Sequence, residues 1–414
     1  MMKYKIIICI SLLLVTILTF CFIYINRKED HKQIVNIWTV DIGSRFNKYM
    51  EYLIDKFQNK NSDLKIVWKD FDEKDIISEI YESWHKNSLP DIISLSTNTL
   101  VNKLNKDLLY DLNELNVNFY DTFFEGILDS NKKDNKLLGI PWYTNIDVLY
   151  VNKSILDMCN IDKSHYPLTE KDFFNLLRNI KERSKKYGSV FNPENIKHLI
   201  YNGLKVIDSS DNVLINTPEI VEYFKKYQIL FNNLIVPKKF LNFDDKLYLY
   251  SKGEVAMIKA NVKFIDNMEK ISKDIYNNTV VLPIPLGENN IRYADTVSLA
   301  IMKKSNKYKE AMKFMNFLVD KTNQIELINN FNILPVNKNI NIDADISNKN
   351  SKKIQAKIIA FKSLEKSKDF TVNVNKFNEI NNVIEKYSRN IYLEGLDVQN
   401  MIKEAQHTID SLIK

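Results

Sequence analysis

GIPWYTNIDVLYVNK, Gly139–Lys153, is the stretch whose reading decides the fold of this chain. Its first half is a Gly/Pro-punctuated turn carrying two large aromatics, Trp142 and Tyr143. Its second half, Ile146 to Val151, is apolar and reads as a buried strand. Asn145 and Asp147 stand at the join, where polar groups meet buried backbone. A strand that opens on polar and aromatic side chains in mid-chain predicts a crossing between two lobes, with a ligand enclosed there.

Before the crossing, strand and helix patterns alternate. Gln33–Val40 alternates as a first strand, Asp41–Ser44 turns, and Ser44–Gln58 carries apolar residues at helical spacing. Leu64–Trp68 is a second strand, Asp75–His85 a second helix and Ile92–Leu95 a short apolar strand. This order predicts a parallel sheet of βαβ units, in which ligands bind beyond the carboxyl ends of strands. The polar loops Asp41–Ser44 and Ser96–Asn98 lie at that edge. Val101–Leu115 reads as helical.

Beyond the crossing the pattern is mainly helical. Thr169-x-x-Asp172 is a capping box opening a helix to about Lys186. Ile196–Leu204, Val221–Leu234 and Tyr308–Val319 are further helices, and Phe377–Lys414 is mostly helical with a break near Gly395. Val255–Ile258 and Val297–Met302 read as short buried strands. Prolines are expected to keep Val280–Pro285 out of a central ladder. Asn332–Val336 reads as a turn. No low-complexity linker separates the lobes, so short strands should tie them.

A chain of 414 residues exceeds one simple core. Only 8 glycines, with no GxxxxGK[ST] or GxGxxG, argue against a phosphate-cradling loop. The net charge of +6 is spread through Lys/Asn-rich segments, which speaks against nucleic-acid binding. The uncharged run Ile6–Ile25 after Lys3 and Lys5 is an export signal, and its length favours an uncleaved membrane anchor. Cys21 offers a lipoprotein alternative: Leu18-Thr19-Phe20-Cys21 approximates a lipobox, with bulky Phe20 where a small residue is wanted. Beyond this segment Cys159 is the one cysteine, so no disulfide framework is expected. The five histidines, His31, His85, His165, His198 and His407, are scattered and form no zinc motif.

From about Ile34 to its end the chain resembles extracellular solute-binding proteins of ABC transporters, the maltose- and oligosaccharide-binding group. The resemblance is carried in order by IWTVDIGSRFNKYMEYLIDKFQ, LPDIISLST, GIPWYTNIDVLYVNK, SKGEVAMIKANV, VVLPIPLGENN, VSLAIMKKSNKYKEAMKFMNFLV and ILPVNK. It implies an α/β, two-lobe periplasmic-binding-protein-like fold with hinge strands, here preceded by the N-terminal anchor of 1–32. Lobe one would take 34–143 and 279–322, and lobe two 144–278 and 323–414. It further implies a monomer without cofactor or catalysis. Such a receptor would sit at the extracellular face of the cell membrane, capture a solute (most of all a sugar or oligosaccharide) between its lobes, and deliver it to ABC permease subunits. A surface sensor or adhesion module of the same fold is the alternative, and a glycan-processing enzyme a further one.

The resemblance also implies the site. Asp41 and Ser44 match the loop after the first strand, with helix capping the plain alternative for Ser44. Thr97 and Asn98 match the loop after LPDIISL, with a solvated turn as alternative. Trp142, Tyr143 and Asn145 match the crossing, where Trp142 is equally a core residue. Asn261 and Phe264 stand where relatives commonly show a Gly-x-Trp-like turn; the tryptophan is absent, so Phe264 either replaces its ring or that stacking contact is missing. Asp295 and Thr296 precede the SLAI strand. Relatives often place an acid at Asn145 and a base two positions on. Here Asn145 is neutral and Asp147 takes the second place, which marks that pair for specificity.

Overall fold

The structure is a computed structural model that describes residues 32–115, 117–162, 166–192, 194–286, 290–331, 333–345 and 351–413, and only the backbone of Ser44 and Arg45. The predicted anchor run and Cys21 lie outside the described residues. Among those described, no helix is long and apolar enough to cross a membrane. The described residues divide into two compact units, one of them made of those from 32 to 95 with Asp107–Tyr110 and Leu299–Leu318.

In this first unit the predicted alternation is present. β1 (Gln33–Val40) pairs in parallel with β2 (Leu64–Phe71) and with β3 (Ile92–Ser96). Helices α1 (Gly43–Lys60) and α2 (Ile76–Lys86) form the connections. Phe46, Met50, Leu53 and Phe57 recur at helical spacing and are buried, giving α1 its core face. The Phe57 ring meets Phe314 at 4.9 Å and Phe317 at 5.2 Å from the helix Tyr308–Leu318. Buried Asp91 is satisfied by the Asn36 backbone N–H at 2.8 Å and the Ser305 hydroxyl at 2.6 Å, so its charge fixes a loop.

The second unit comprises Ser96–Lys106, Asp111–Ser298 and Val319–Lys414. Here Gly139–Lys153 forms two strands, β4 (Ile140–Asn145) and β5 (Val148–Asn152), in two different sheets. β5 is the middle of an antiparallel sheet between β6 (Met257–Ala260) and β7 (Thr279–Pro283). β8 (Arg292–Ile301), β9 (Leu334–Pro335) and β10 (Ser367–Asp369) follow, with β9 antiparallel to β4 and β10 parallel to β8.

Three sequence expectations change. The Gly/Pro half of the crossing is a strand, because Leu334 and Pro335 pair with Thr144 and Tyr143 and give its backbone partners. Val280–Pro283, read as an extended connection, is a strand, and as expected it stays out of a central position, lying at the edge of the three-stranded sheet where a missing proline N–H is tolerated. Val101–Leu115 is not one helix but short turns, Thr99–Lys103, Lys106–Leu108 and Leu112–Leu115. The Asp111 carboxylate accepts from the Asn113 and Leu137 N–H groups, both at 3.1 Å, and this local bonding competes with helix.

Helices α3 (Glu170–Ser184), α4 (Ile196–Tyr201), α5 (Pro218–Asn232), α6 (Phe243–Ser251) and α7 (Lys263–Ile271) follow in order. The C-terminal segment forms α8 (Phe377–Tyr392) and α9 (Val398–Ile413), broken where Gly395 takes a φ of 73°. Tyr392 stacks on Phe231 at 5.0 Å and 5°, locking α8 to α5 within a large apolar cluster.

Candidate functional site

A cavity of about 470 Å³ lies within the second unit. Its floor is the break between β4 and β5, Asn145–Asp147, where the chain leaves one sheet for the other. Each wall follows from local sequence. The capping box is formed as predicted: Thr169 Oγ1 accepts from the Asp172 N–H at 3.2 Å, and Asp172 Oδ2 accepts from the Thr169 N–H at 3.1 Å. That box makes Glu170 the first residue of α3 and puts it on the cavity. The Asn195 side chain caps α4, accepting from the His198 N–H at 2.9 Å. Ile196 and Leu199 are buried, which leaves Lys197, His198 and Tyr201 lining the cavity. Tyr223 and Tyr227 stand one turn apart on α5, rings 4.4 Å apart, and both line it. Gly188 lets the backbone leading to Val190 pass close to α3: a Cβ there would lie 2.8 Å from Leu177 Cδ2 and 2.9 Å from its Cα.

The remaining wall is aromatic and charged. Tyr201 and Tyr293 stack at 4.5 Å and 7°, a flat double platform, with Lys197 Nζ 5.3 Å from the Tyr201 ring. Phe191 meets Tyr227 edge-on at 5.0 Å. Asp147, Glu170, Glu194 and Asp295 share the cavity wall with Lys197, Lys246, Lys259 and Arg292, four acids among four bases. Lys197 pairs with Asp295, and Lys259 with Glu170. Arg292 Nε donates to the Ile284 carbonyl at 2.9 Å.

Enclosure shifts several of these groups. Asp147 is open to the cavity yet ringed by protein. Loss of solvent and the Asp295 carboxylate push its carboxyl up to about 6, against the pull of Lys197, Lys246 and Lys259. Desolvation pushes Lys246 down, while Asp147 opposes it. Glu194, only 2% exposed, is pushed up to about 8 by burial, although Tyr223 hydrogen-bonds its carboxyl. Four buried polar atoms of cavity-lining residues have no partner among the described residues: Glu170 Oε2, Asn192 Oδ1, Glu194 Oε2 and Tyr201 OH. Such atoms cost about 1–3 kcal/mol each when unsatisfied, so an occupant that bonds them gains what the empty cavity lacks.

Of the sequence candidates, Asn145, Asn261 and Asp295 line this cavity together with Asp147. Asp41 belongs to the first unit, exposed at a φ of 47°, and its Oδ2 accepts from the Glu73 N–H at 3.1 Å. α1 begins at Gly43 without a side-chain cap, and the Ser44 side chain lies outside the described residues. Thr97 is buried, its hydroxyl 2.9 Å from that of Ser298 and donating to the Thr296 carbonyl at 3.1 Å. Asn98 Oδ1 accepts from the Val372 N–H at 2.7 Å. The buried Thr296 hydroxyl is 2.9 Å from that of Thr144, and its N–H reaches Asp369 Oδ1 at 3.2 Å. Trp142 is buried, and its carbonyl accepts from Gln324 Nε2 at 2.9 Å; half-buried Tyr143 meets its ring at 5.0 Å. Phe264 is wholly buried against Tyr150, Tyr250 and Phe243.

The residues that sequence reasoning passed over include Lys197 and Tyr201 on α4 and Tyr223 and Tyr227 on α5. Lys197/Tyr201 and Tyr223/Tyr227 are both i,i+4 pairs, a spacing visible in the sequence. Glu194, in an Asn/Pro loop, carried no signal.

A family model of bacterial extracellular solute-binding proteins matches residues 52–354. A protein named as a binding protein in Brucella abortus (strain 2308) is 20% identical over 395 residues, covering 92% of this chain and 93% of its own length. Among solved structures, the sugar-binding protein MalE of Xanthomonas citri aligns with a TM-score of 0.75 at 18% identity, over 92% of this chain and 97% of MalE. The cyclic α-maltosyl-1,6-maltose binding protein of Arthrobacter globiformis aligns with a TM-score of 0.73 at 13% identity, over 92% of this chain and 99% of that one. At these identities the structural likeness establishes a shared mixed α/β fold.

Proposed function

We propose that this chain, which belongs to the family of bacterial extracellular solute-binding proteins, uses the cavity of its second unit to capture a neutral polyhydroxylated solute, a sugar or oligosaccharide. The observation that carries this reading is the stacked Tyr201–Tyr293 platform set in a wall of mixed acids, bases and amides. Sugar C–H faces pack on aromatic rings, and hydroxyls both donate and accept, as a wall of mixed carboxyls, amides and amines requires. A phosphate would call for clustered unpaired cations and a polyamine for unpaired carboxylates. Here Lys197 and Lys259 are each tied to an acid. The similar proteins described as binding sugars support the same reading.

We further propose capture without turnover and delivery to an ABC permease, with the receptor held outside the membrane by its N-terminal segment. The uncharged run Ile6–Ile25 supports that placement.

A thermal-shift and tryptophan-fluorescence panel of neutral oligosaccharides, amino acids, polyamines and phosphates tests the reading. Only neutral sugars should stabilise the protein, by about 2.7 kcal/mol at a hundredfold excess over Kd, and each should be recovered unchanged. A response confined to charged solutes would overturn the sugar assignment and leave solute capture standing. No response to any solute would overturn both.

A further inference from the structure

We propose that Glu194 is a ligand-binding residue that acts as a neutral acid, donating a hydrogen bond from Oε2 to an acceptor oxygen of the captured solute. This inference rests on the sugar-capture reading. Glu194 lines the cavity, is 2% exposed, and its Oε2 has no hydrogen-bond partner among the described residues. A carboxylate so placed would be buried without adequate compensation, whereas a carboxylic acid needs only one acceptor. Every element packed around it bears on that state. From α5, Tyr223 hydrogen-bonds the carboxyl and Tyr227 lies close by; both phenols are held far above their usual range by burial and stay neutral. From the end of α8, the Tyr392 hydroxyl faces the same carboxyl without a hydrogen bond of good geometry. From the same helix, the Ser388 hydroxyl accepts from the Glu194 N–H at 3.2 Å.

Among the described residues, the cation acting on the carboxyl is Lys259 of β6, and it is already paired with Glu170. Its pull is outweighed by burial, which pushes the Glu194 carboxyl up to about 8. The acid therefore holds its proton at neutral pH and can offer it from the unpartnered Oε2. A ligand oxygen accepting from Oε2–H favours the protonated state further. Affinity should thus be constant below the pKa of the empty protein and fall above it, by at most tenfold per pH unit.

Calorimetric titration with maltotriose as the probe, from pH 7 to 9.5 and so above the Asp147 transition, tests this on three proteins. Wild type should bind evenly up to about pH 7.5 and lose affinity by roughly tenfold or more by pH 9.5. Glu194→Gln, whose amide keeps a donor and an acceptor, should bind within about threefold of wild type at pH 7 and show no loss up to pH 9.5. Glu194→Ala should bind more than tenfold more weakly at pH 7. Since the alanine variant may fail to fold, Glu194→Gln carries the test alone if need be. The same alkaline loss in Glu194→Gln, or a flat wild-type profile, overturns the role of Glu194 and leaves sugar capture intact. Failure of maltotriose and of every neutral sugar in the panel to bind wild type at any pH overturns both together.

Discussion

Tyr201→Ala is expected to weaken capture of a neutral oligosaccharide by roughly ten- to a hundredfold, about 1.4–2.7 kcal/mol. The tyrosine closes the C-terminal end of α4 and gives the cavity one half of its flat platform, 4.5 Å from Tyr293 and 7° from parallel. Its removal strips the apolar surface on which a sugar ring packs and leaves Tyr293 without its stacking partner. It also strands the Lys197–Asp295 pair beside a hole where the ring stood. Tyr201→Phe keeps the ring and loses only a hydroxyl that has no partner in the empty cavity, so its cost should stay below tenfold. Calorimetric titration of both variants, with circular dichroism to confirm folding, separates platform from hydroxyl. An unchanged Kd in Tyr201→Ala would remove the platform from the binding account.

Phe264→Ala should act on the fold and not on the ligand. The ring is wholly buried, with Tyr150 at 5.1 Å, Tyr250 at 5.5 Å and Phe243 at 6.1 Å. Emptying such a site costs about 3–5 kcal/mol, the transfer of the ring plus the cavity left behind. Urea unfolding should show that loss with little change in slope. Affinity for the solute, measured well below the lowered melting point, should stay within about threefold of wild type. A large loss of affinity without loss of stability would instead make Phe264 the ring that stands in for the missing tryptophan. The distinction matters because Asn261, three residues earlier, does line the cavity. Its carbonyl accepts from the Tyr150 hydroxyl at 3.1 Å, and its Oδ1 takes the Lys263 N–H at 3.1 Å. Those bonds start α7 and turn Phe264 inward.

Much of the fold was legible because period and burial agree. Gln33–Val40 and Leu64–Trp68 read as strands and pair in parallel, the second running on to Phe71, with the amphipathic helix between them. The break in Gly139–Lys153 was legible as polar residues at a strand junction. What the sequence did not reveal is that both halves are strands, since the partner of the first, Leu334–Pro335, is remote and only two residues long.

The site was legible where it depends on strand ends. Asn145, Asp147 and Asn261 stand at the ends of short strands, Asp295 lies within β8, and all four line the cavity. Thr97 and Thr296 had the same local signature, yet tertiary pairing between Thr97 and Ser298, and between Thr296 and Thr144, engages their hydroxyls inside the protein. Strand position alone cannot separate these outcomes, because the deciding partner lies far along the chain. The tyrosines of α4 and α5 were visible as i,i+4 pairs, but which helix face meets the cavity follows from packing. Glu194 was invisible for a different reason: its character comes from burial beside Tyr223 and Tyr392, not from its neighbours in sequence.

The central claim, capture of a neutral sugar in a cavity of mixed acids and bases, is tested most directly by calorimetric titration of the purified protein with a neutral oligosaccharide at low and high salt. The account predicts one-to-one binding whose Kd changes less than about twofold between 0.05 and 0.5 M salt, because no net charge is transferred into the site. Binding restricted to a charged solute, with affinity falling steeply as salt rises, would contradict it.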